Sequence, residues 1–429
     1  MLLDYLEEPS RDEYLPRLER RQEDDGAVLE AVSAIIDDVR RRGDAALYEY
    51  EERFDASRLD SLTVSDQDFD EAEAAVDGHL KEAIDRAIEN IRRFHEAQLP
   101  EGEDVETAKG VRCWRRIVPI SNVGLYIPGG TAPLFSTVLM LAIPARVAGC
   151  RRIVLCTPPH EGRINPAVLY AARRCGVDAV YKVGGAQAIA AMAYGTGTVP
   201  KVDKIFGPGN RYVAQAKSLV GRHTAIDMVA GPSEVMVVAD SSADPMHVAS
   251  DLLSQAEHGR DSQVILLIHA ARDEARAIHG KVEEALGVLL GRLGRHEYML
   301  PSLSHSCAMA VADKVRLVQI INEYAPEHLI IDTVDADGLC TLVESAGSIF
   351  LGPWSPESAG DYASGTNHTL PTSGWAHSCG GVSTDSFLKK ITVQKLSREG
   401  LMSLADTVVT MAEAEDLMAH AMAVKVRLQ

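Results

Sequence analysis

The segment Ser355–Pro371 (SPESAGDYASGTNHTLP) carries a carboxylate at Asp361 and an imidazole at His368 among small polar residues. It has no hydrophobic period and little bulk to pack, so we expect a loop here and not part of the core. Binding and catalytic groups are often carried by loops that a rigid scaffold holds in place. Asp361 and His368 are therefore candidate functional residues.

A second candidate is the pair Gln255 and His258, at the end of a helix predicted over residues 247–256. Residues three positions apart lie on the same side of a helix, so an imidazole and an amide oxygen could grip one metal ion. An amide is an unusual metal ligand. For this pair alone, a solvated helix end is the more frequent explanation.

Two further pairs combine an acid with a histidine. Glu327 and His328 stand between a predicted helix and a predicted strand, and together they could transfer protons. Glu415 and His420 lie in the C-terminal part of the chain, five residues apart, which is not one face of a helix. Taken singly, either pair would more often be ordinary surface residues.

Glycine-rich turns precede two predicted helices, at Gly184-Gly185 and at Gly207-Pro-Gly-Asn210. Glycine lets backbone N–H groups approach a phosphate, and a helix start favours an anion. The chain has no GxGxxG fingerprint. As a nucleotide signal the turns are weak, and plain tight turns explain them equally well.

The bulk composition is that of a soluble globular protein, with 46% hydrophobic and 24% charged residues in 429. At roughly 150 residues per domain, this length predicts about two or three units. The formal net charge is −19. That excess of acid argues against a nucleic-acid partner and against an anionic membrane surface, because both require a basic face.

Seven cysteines are scattered without a CxxC pair, which predicts reduced thiols and a cytoplasmic location, not a disulfide framework. The residues Met1–Ser10 are acidic and lack an apolar segment, so we expect no signal peptide. The longest apolar runs, such as Thr137–Ala145, are too short to span a bilayer.

Hydrophobic spacing predicts helices in the first 110 residues or so, at Ala27–Arg42, Asp66–Val76 and Leu80–Gln98, with Ser65 capping the second. From Asn122 onward, short apolar strands alternate with helices, and a second alternation begins at Ser233. This pattern predicts parallel sheets with helical crossovers. Helix is expected again after Pro371, at Phe387–Lys390 and Leu401–Val426.

Taken together and in order, these segments resemble one family, histidinol dehydrogenase, over nearly the whole chain. None of the motifs would suffice alone. They are VGLYIPGG (123–130), FGPGN (206–210), AGPSE (230–234), SQAEHG (254–259), YAPEHL (324–329), SPESAGDYASGTNHTLPT (355–372), SREGL (397–401) and the late pair Glu415 and His420.

The resemblance implies an α/β fold with two incomplete Rossmann-like domains and parallel sheets. It implies a helical N-terminal segment at 1–20 and a first domain made of 21–125 and 234–377, on the metal and substrate side. An NAD-binding domain at 126–233 and a helical, dimer-exchanging tail at 378–429 complete the predicted organisation.

The resemblance also implies the site residues. One zinc ion would be bound by Gln255, His258, Asp361 and His420. The proton-transfer residues would be Glu327 and His328. Further substrate contacts would be Ser233, His368 and Glu415, in addition to His328 and the four zinc ligands. NAD would contact Tyr126, Gln187 and Asn210.

The implied reaction is the oxidation of L-histidinol to L-histidine by two hydride transfers to NAD. Zinc would orient the substrate, His328 would take the alcohol proton, and Glu327 would activate water in the second step. The implied partner is a second copy of the chain, in a homodimer whose tails supply Glu415 and His420 to a composite site.

Three other hypotheses remain open at this point. A paralogous dehydrogenase could act on another small polar alcohol, a zinc amidohydrolase would use metal-bound water, and a non-catalytic nucleotide-binding protein would have no use for Glu327 and His328. Cys113 and Cys150 are candidates for a thiohemiacetal route, although neither has an evident basic partner. The segment Trp375–Gly381 departs from many members, and Cys379 receives no role.

Overall fold

The computed structural model describes residues 2–20, 26–129, 134–229 and 231–429. Its strands form sheets of six, five and three strands. All pairings within the two larger sheets are parallel, which confirms the predicted α/β class. Along the chain the strands are β1 (Asp4–Glu7), β2 (Asp104–Ala108), β3 (Val111–Pro119), β4 (Asn122–Tyr126), β5 (Arg152–Thr157), β6 (Ala179–Lys182), β7 (Lys204–Phe206), β8 (Ala225–Ile226), β9 (Glu234–Ala239), β10 (Gln263–Ile268), β11 (Cys307–Ala310), β12 (His328–Asp332), β13 (Ser348–Leu351) and β14 (Leu388–Leu396).

Helices connect the strands and cover both faces of the two parallel sheets. In none of the ranges given above does a helix have the length and apolar character needed to cross a membrane. The α-helices are α1 (Arg11–Leu18), α2 (Gly26–Arg42), α3 (Asp44–Phe54), α4 (Asp66–Ala75), α5 (Gly78–Glu96), α6 (Phe135–Ala148), α7 (Pro166–Arg174), α8 (Gly185–Tyr194), α9 (Arg211–Val220), α10 (Pro245–Ala256), α11 (Arg272–Leu290), α12 (His296–Leu303), α13 (Lys314–Tyr324), α14 (Ala336–Cys340), α15 (Glu357–Tyr362), α16 (Arg398–Ala414) and α17 (Met418–Lys425).

Several predicted positions fall on residues that are not described. Gly130 and Ala230, which belong to two of the quoted motifs, are among them. So are Met1 and residues 21–25, at the starts of the predicted N-terminal segment and first domain.

The five-stranded sheet has the order β6-β5-β4-β7-β8. Helices α4, α5, α6 and α7 pack on one face, and α2, α3, α8 and α9 pack on the other. The stripe Ile84, Ile88 and Ile91 on α5 has the helical spacing that buries one side. The four helices between Gly26 and Glu96 therefore pack on the five-stranded sheet. The predicted domain boundaries instead placed residues 21–125 in one domain with residues 234–377.

The six-stranded sheet has the order β1-β11-β10-β9-β12-β13. Helices α10, α11 and α12 cover one face, and α1, α13 and α14 cover the other. The segment predicted as helical at 1–20 contains helix α1, and in addition Asp4–Glu7 forms the edge strand β1 beside β11, which was not predicted. Four residues are too few for a hydrophobic period to distinguish strand from helix.

The C-terminal segment also differs from the expectation. Residues Leu388–Leu396 form a strand, β14, which pairs antiparallel with β3 from Leu388↔Pro119 to Leu396↔Val111, so the predicted helix at Phe387–Lys390 is wrong. The β-branched run Ile391–Val393 favours a strand. Beyond it the chain is helical as expected, in α16 and α17, with a break where Asp416 has φ 58°.

The segment Ser355–Pro371 is not entirely a loop, because Glu357–Tyr362 form helix α15. Pro356 occupies the position before the helix, and its fixed φ is compatible with a helix start. The helix has 6 residues, which is too short to leave a periodic pattern in the sequence. From Ala363 to Pro371 the segment is irregular, as predicted.

Candidate active site

The candidate site lies at the amino edge of the six-stranded sheet. His328 is the first residue of β12, with Glu327 directly before it, and the neighbouring β9 begins at Glu234. Open α/β sheets more often bind ligands at the carboxyl edge of their strands. The end of α10 and the short helix α15 enclose the edge and carry the remaining candidate side chains.

Glu327 is 6% exposed and its carboxylate is held by a backbone donor. Its Oε2 accepts a hydrogen bond of 2.8 Å from the N–H of Glu234 and one of 3.4 Å from Nε2 of Gln255. Burial is the largest influence and raises the pKa of Glu327 to about 8. A buried carboxyl with a pKa near neutrality is suited to proton transfer.

His328 is 4% exposed and its ring is oriented by a main-chain group. Nδ1 lies 3.2 Å from the carbonyl oxygen of Glu234. Because a carbonyl only accepts, Nδ1 carries a proton, and Nε2 is the basic atom of the neutral ring. Nε2 lies 3.5 Å from Oδ1 of Asp361, so the free nitrogen points toward the predicted metal ligands.

The charge balance around His328 is unusual for a protein interior. Burial lowers its pKa, but the carboxylates of Glu357, Glu327 and Asp361 outweigh burial and raise the pKa of His328 to about 10. Burial also raises the pKa of Glu357. Three carboxyl groups share a small volume with one imidazole, and such a group of acids is stabilised by a cation.

The donor atoms present fit a zinc ion. One nitrogen or oxygen atom from each of His258, Glu357 and Asp361 lies within 4.8 Å of the other two. Oε1 of Gln255, Oε2 of Glu357 and Oδ1 of Asp361 are buried, and none of them makes a hydrogen bond to another described residue. Imidazole nitrogen and carboxylate oxygen are ordinary zinc ligands. His258 and Asp361 therefore lie together, and Gln255 lies beside Glu327 and His328 at the same edge of the sheet.

Glu357 was missed by the sequence reasoning, although it lies in the segment that was singled out. It is the first residue of α15, four positions before Asp361, so both carboxylates project from one face of the helix. The four-residue spacing of the two carboxylates was the signal for Glu357 in the sequence. This spacing indicates a shared face only in a helix, and helix α15 was not predicted.

Glu415 and His420 are not brought to this site. Both are exposed on the α16–α17 tail. Within the described part of the chain, the single three-residue group able to hold a metal ion does not include His420. Ser233, by contrast, lies directly before β9, where its carbonyl oxygen accepts a 3.1 Å hydrogen bond from the N–H of Gln263.

His368 connects the segment Ser355–Pro371, hereafter the site segment, to helix α6, which packs on the five-stranded sheet. Its Nε2 lies 3.2 Å from Oγ1 of Thr137 on α6, and its Nδ1 lies 3.0 Å from the carbonyl oxygen of Asp361. Because both ring nitrogens have partners, the ring fixes α15 against α6. This contact positions the backbone of Asp361.

Asn367 makes the neighbouring connection. Its Nδ2 donates hydrogen bonds to the carbonyl oxygen of Met140, at 2.6 Å, and to Nε2 of His95, at 3.2 Å. His95 is fully buried on α5, and burial lowers its pKa to about 4. The neutral ring of His95 therefore accepts the hydrogen bond that holds Asn367, in the irregular part of the site segment, against α5. No sequence pattern had distinguished this histidine.

The predicted NAD contacts lie elsewhere, at the carboxyl edge of the five-stranded sheet. Tyr126 ends β4, Gln187 lies in the first turn of α8 after β6, and Asn210 follows β7 and caps α9. The hydroxyl of Tyr126 accepts a 3.0 Å hydrogen bond from the N–H of Gly185. Helix starts converge at this edge, which fits the phosphates of a dinucleotide.

The glycine turn at this edge is fixed by a buried ion pair. Nζ of Lys217 lies 2.5 Å from Oδ1 of Asp227 and donates a 2.8 Å hydrogen bond to the carbonyl oxygen of Gly207. Gly207 has φ 126°, and a Cβ there would lie 2.1 Å from the carbonyl oxygen of Tyr126. Only glycine can occupy the position next to Tyr126.

Glu51, on α3, is a second buried acid that the sequence did not reveal. Its Oε1 accepts hydrogen bonds from the N–H of Gly184, at 3.1 Å, and from Nε2 of Gln187, at 3.0 Å. Burial raises the pKa of Glu51. The contact holds the amide of Gln187 at the start of α8.

Comparison with known proteins identifies relatives over the whole chain. The histidinol dehydrogenase family profile matches residues 18–428. Histidinol dehydrogenase from Bacteroides thetaiotaomicron is 50% identical over 429 residues, which is 100% of this chain and 99% of the relative. The Escherichia coli K12 protein of the same name is 53% identical, covering 94% and 92%. The crystal structure of the Elizabethkingia anophelis histidinol dehydrogenase matches with a TM-score of 0.96 and 46% identity, covering 100% and 98%.

We predict that His95 makes the protein less stable in weak acid. The unfolded chain takes up a proton at the ordinary pKa of 6.5, whereas the folded protein does so near 4. The free energy of unfolding should therefore fall as the pH drops through that window, with a loss from this group of up to about 3 kcal/mol.

Chemical denaturation of the wild type and of His95→Gln at several pH values measures this loss, because an amide accepts from Asn367 without titrating. The variant should lose less stability in acid than the wild type. His79→Gln, at an exposed histidine, is the matched control and should follow the wild type. Identical acid slopes for His95→Gln and the wild type would contradict the assignment.

Proposed function

The chain belongs to the histidinol dehydrogenase family, oxidoreductases of histidine biosynthesis, and we propose that it oxidises L-histidinol to L-histidine with zinc and NAD. The oxidation proceeds in two hydride transfers with L-histidinaldehyde between them. The observation that carries this proposal is the buried pair Glu327 and His328 beside the converging donors of His258 and Asp361.

Gln255, His258 and Asp361 would hold the zinc ion, with His420 as the ligand that the tail would contribute. When bound, zinc supplies a template that orients the imidazole and amino nitrogens of the substrate. The buried, unpartnered oxygens of Gln255 and Asp361 support these two assignments. Ser233, at the start of β9, and Glu415, on the tail, complete the substrate contacts, and His368 positions Asp361.

His328 is the base of the first oxidation. Nε2 takes the hydroxyl proton of histidinol while the hydride on the same carbon leaves to the nicotinamide ring, which yields the aldehyde. The hydrogen bond from Nδ1 to the carbonyl oxygen of Glu234, at 3.2 Å, leaves Nε2 as the nitrogen that exchanges the proton and stabilises the imidazolium that follows. Catalytic histidines that act as general bases are commonly oriented in this way, by a hydrogen bond from the other ring nitrogen to a fixed acceptor. The carboxylates raise the pKa of His328 to about 10, so a bound cation that offsets their charge is needed before Nε2 can act as a base.

Glu327 acts in the second oxidation, where water adds to the aldehyde. Its carboxylate takes a proton from the attacking water, and the resulting hydrate gives its hydride to a second NAD, which leaves the carboxylic acid. Complete burial favours a carboxylate that readily accepts a proton, consistent with its pKa of about 8. The buried position also keeps bulk water away from the aldehyde.

A cysteine route is disfavoured by the positions of the thiols. Burial raises the pKa of Cys150 to about 12 and also raises that of Cys156, so neither forms a thiolate readily. Cys113 lies on β3, in the three-stranded sheet, away from the amino edge that carries Glu327. All seven cysteines are unpaired, which supports a reducing compartment such as the cytoplasm.

The protein functions as a homodimer in which each tail completes the partner's site. Helices α16 and α17 expose large apolar side chains to solvent in the single chain, which is unfavourable unless another surface covers them. His420, a predicted zinc ligand, is exposed on the same helices. The exposed apolar residues are Met402, Val408, Met411, Leu417, Met418, Met422 and Val426.

The overall reaction is tested by following NADH while purified, zinc-loaded protein consumes a limiting amount of L-histidinol with excess NAD. We expect about two NADH for each histidinol, because each oxidation transfers one hydride. Removal of zinc with a chelator should abolish the signal and added zinc should restore it. No NADH from zinc-loaded protein, or a faster reaction with another small amino alcohol, would overturn the proposal.

The two proton-transfer roles separate when alcohol and aldehyde are supplied as alternative substrates. His328→Asn should slow the oxidation of histidinol by about 10²-fold or more, and Glu327→Gln should slow aldehyde oxidation more than alcohol oxidation. His160→Asn, at an exposed histidine, serves as the control. Full turnover by both variants would show that the roles are misassigned.

Subunit complementation tests the composite site. We expect Glu327→Gln and His420→Ala homodimers to form little L-histidine, and the heterodimer purified with two affinity tags to regain about half of the wild-type rate of L-histidine formation. The intact core of one chain then meets the intact tail of the other at one of the two sites. If each tail served its own chain, both sites of the heterodimer would carry a lesion, and it would form as little L-histidine as the homodimers.

A further inference from the structure

We propose that Glu357 is an additional ligand of the zinc ion, so that a single subunit holds the metal through His258, Glu357 and Asp361 before any tail from the partner arrives. The inference rests on the proposed zinc-dependent function, and it adds a donor that the motif resemblance does not include. Glu357 is therefore assigned a metal-binding role in the substrate-free site.

The first support is the geometry of the donor atoms. Atoms of His258, Glu357 and Asp361 lie within 4.8 Å of one another, a spacing at which one ion can contact all three. Glu357 and Asp361 are separated by one turn of α15, so the helix fixes the distance between their carboxylates. His258 approaches from the other side, just after α10.

The second support is the state of the Glu357 side chain. It is 1% exposed, and its Oε2 is buried without a hydrogen-bond partner. Among the described residues, no lysine or arginine forms an ion pair with it. A carboxylate buried without a partner costs several kcal/mol in real proteins, so such a group is kept only where a cation or a proton compensates it.

The third support is the position of the other donors. His420 is exposed on the tail and outside the group, so within one chain the predicted ligand set is incomplete. With Glu357 included, one subunit would supply three strong donors beside the amide oxygen of Gln255. Such a set would hold the ion without the tail, to which His420 of the tail or the substrate would add.

A different role for Glu357, as an electrostatic partner of His328, is separable by experiment. Glutamine at position 357 keeps the shape of the side chain, but its neutral amide binds zinc more weakly than a carboxylate does. A role limited to His328 would change catalysis and leave zinc affinity unchanged. A ligand role changes zinc affinity whether or not substrate is present.

The experiment measures zinc affinity by competition with a chromophoric chelator in the absence of substrate. It compares full-length wild type with Glu357→Gln, His420→Ala and the double variant, and uses Glu257→Gln, at an exposed carboxylate next to His258, as the control for lost charge. Circular dichroism and melting of the zinc-free proteins verify the fold, and Glu357→Asp is the second variant.

We expect Glu357→Gln to weaken zinc binding by about 10-fold or more in both backgrounds, with Glu357→Asp between it and the wild type. His420→Ala should still bind zinc, and the double variant should bind it most weakly. The absorption bands of the cobalt-substituted protein should change in Glu357→Gln and not in Glu257→Gln.

Unchanged zinc affinity of Glu357→Gln, or a loss no larger than that of Glu257→Gln, would overturn the inference. If zinc binding were lost in His258→Ala and kept in Glu357→Gln, the zinc site would stand and only the role of Glu357 would fail. If the wild type bound no zinc, the proposed zinc-dependent function itself would fail.

Discussion

The rest of the site depends on one electrostatic constraint, the clustering of buried Glu327 and Glu357 with half-buried Asp361 around the imidazole of His328. Each carboxylate loses solvation energy on folding, and no described lysine or arginine compensates Glu357. The arrangement therefore lowers the stability of the empty pocket and favours a divalent cation. A protein would retain such a group of acids only where the cation does chemistry.

The fold satisfies this constraint by binding the site segment to both parallel sheets. Asn367 and His368 fasten it to α5 and α6, which pack on the five-stranded sheet. The N–H of Ser373 donates a 2.7 Å hydrogen bond to Oε1 of Glu234, at the start of β9 in the six-stranded sheet. Residues 355–373 thus carry Asp361 and link the sheet with the predicted NAD contacts to the sheet with the proposed catalytic pair.

Sequence periodicity predicted the long elements well, because helices such as α2 and α5 show several turns of their pattern. It failed for β1, β14 and α15, since a strand of four residues, an exposed strand and a helix of six residues show no sufficient period. In the site, residues within motifs were identified by resemblance. Glu51, His95 and Glu357 were not, because their roles depend on burial, which one sequence does not display.

The tail, helices α16 and α17, has exposed residues whose burial and contacts one chain alone does not provide. Its helices break at Asp416 and expose apolar residues such as Met411 and Met418, although a solvated helix pair gains nothing from them. The core of the site lacks the donor that His420 would add, and the tail lacks the surface that would cover it. The proposed association of two copies would remove both deficits. With Glu357 as a ligand, zinc binding and dimer formation become separate steps, and the metal can order the pocket before the partner's tail enters.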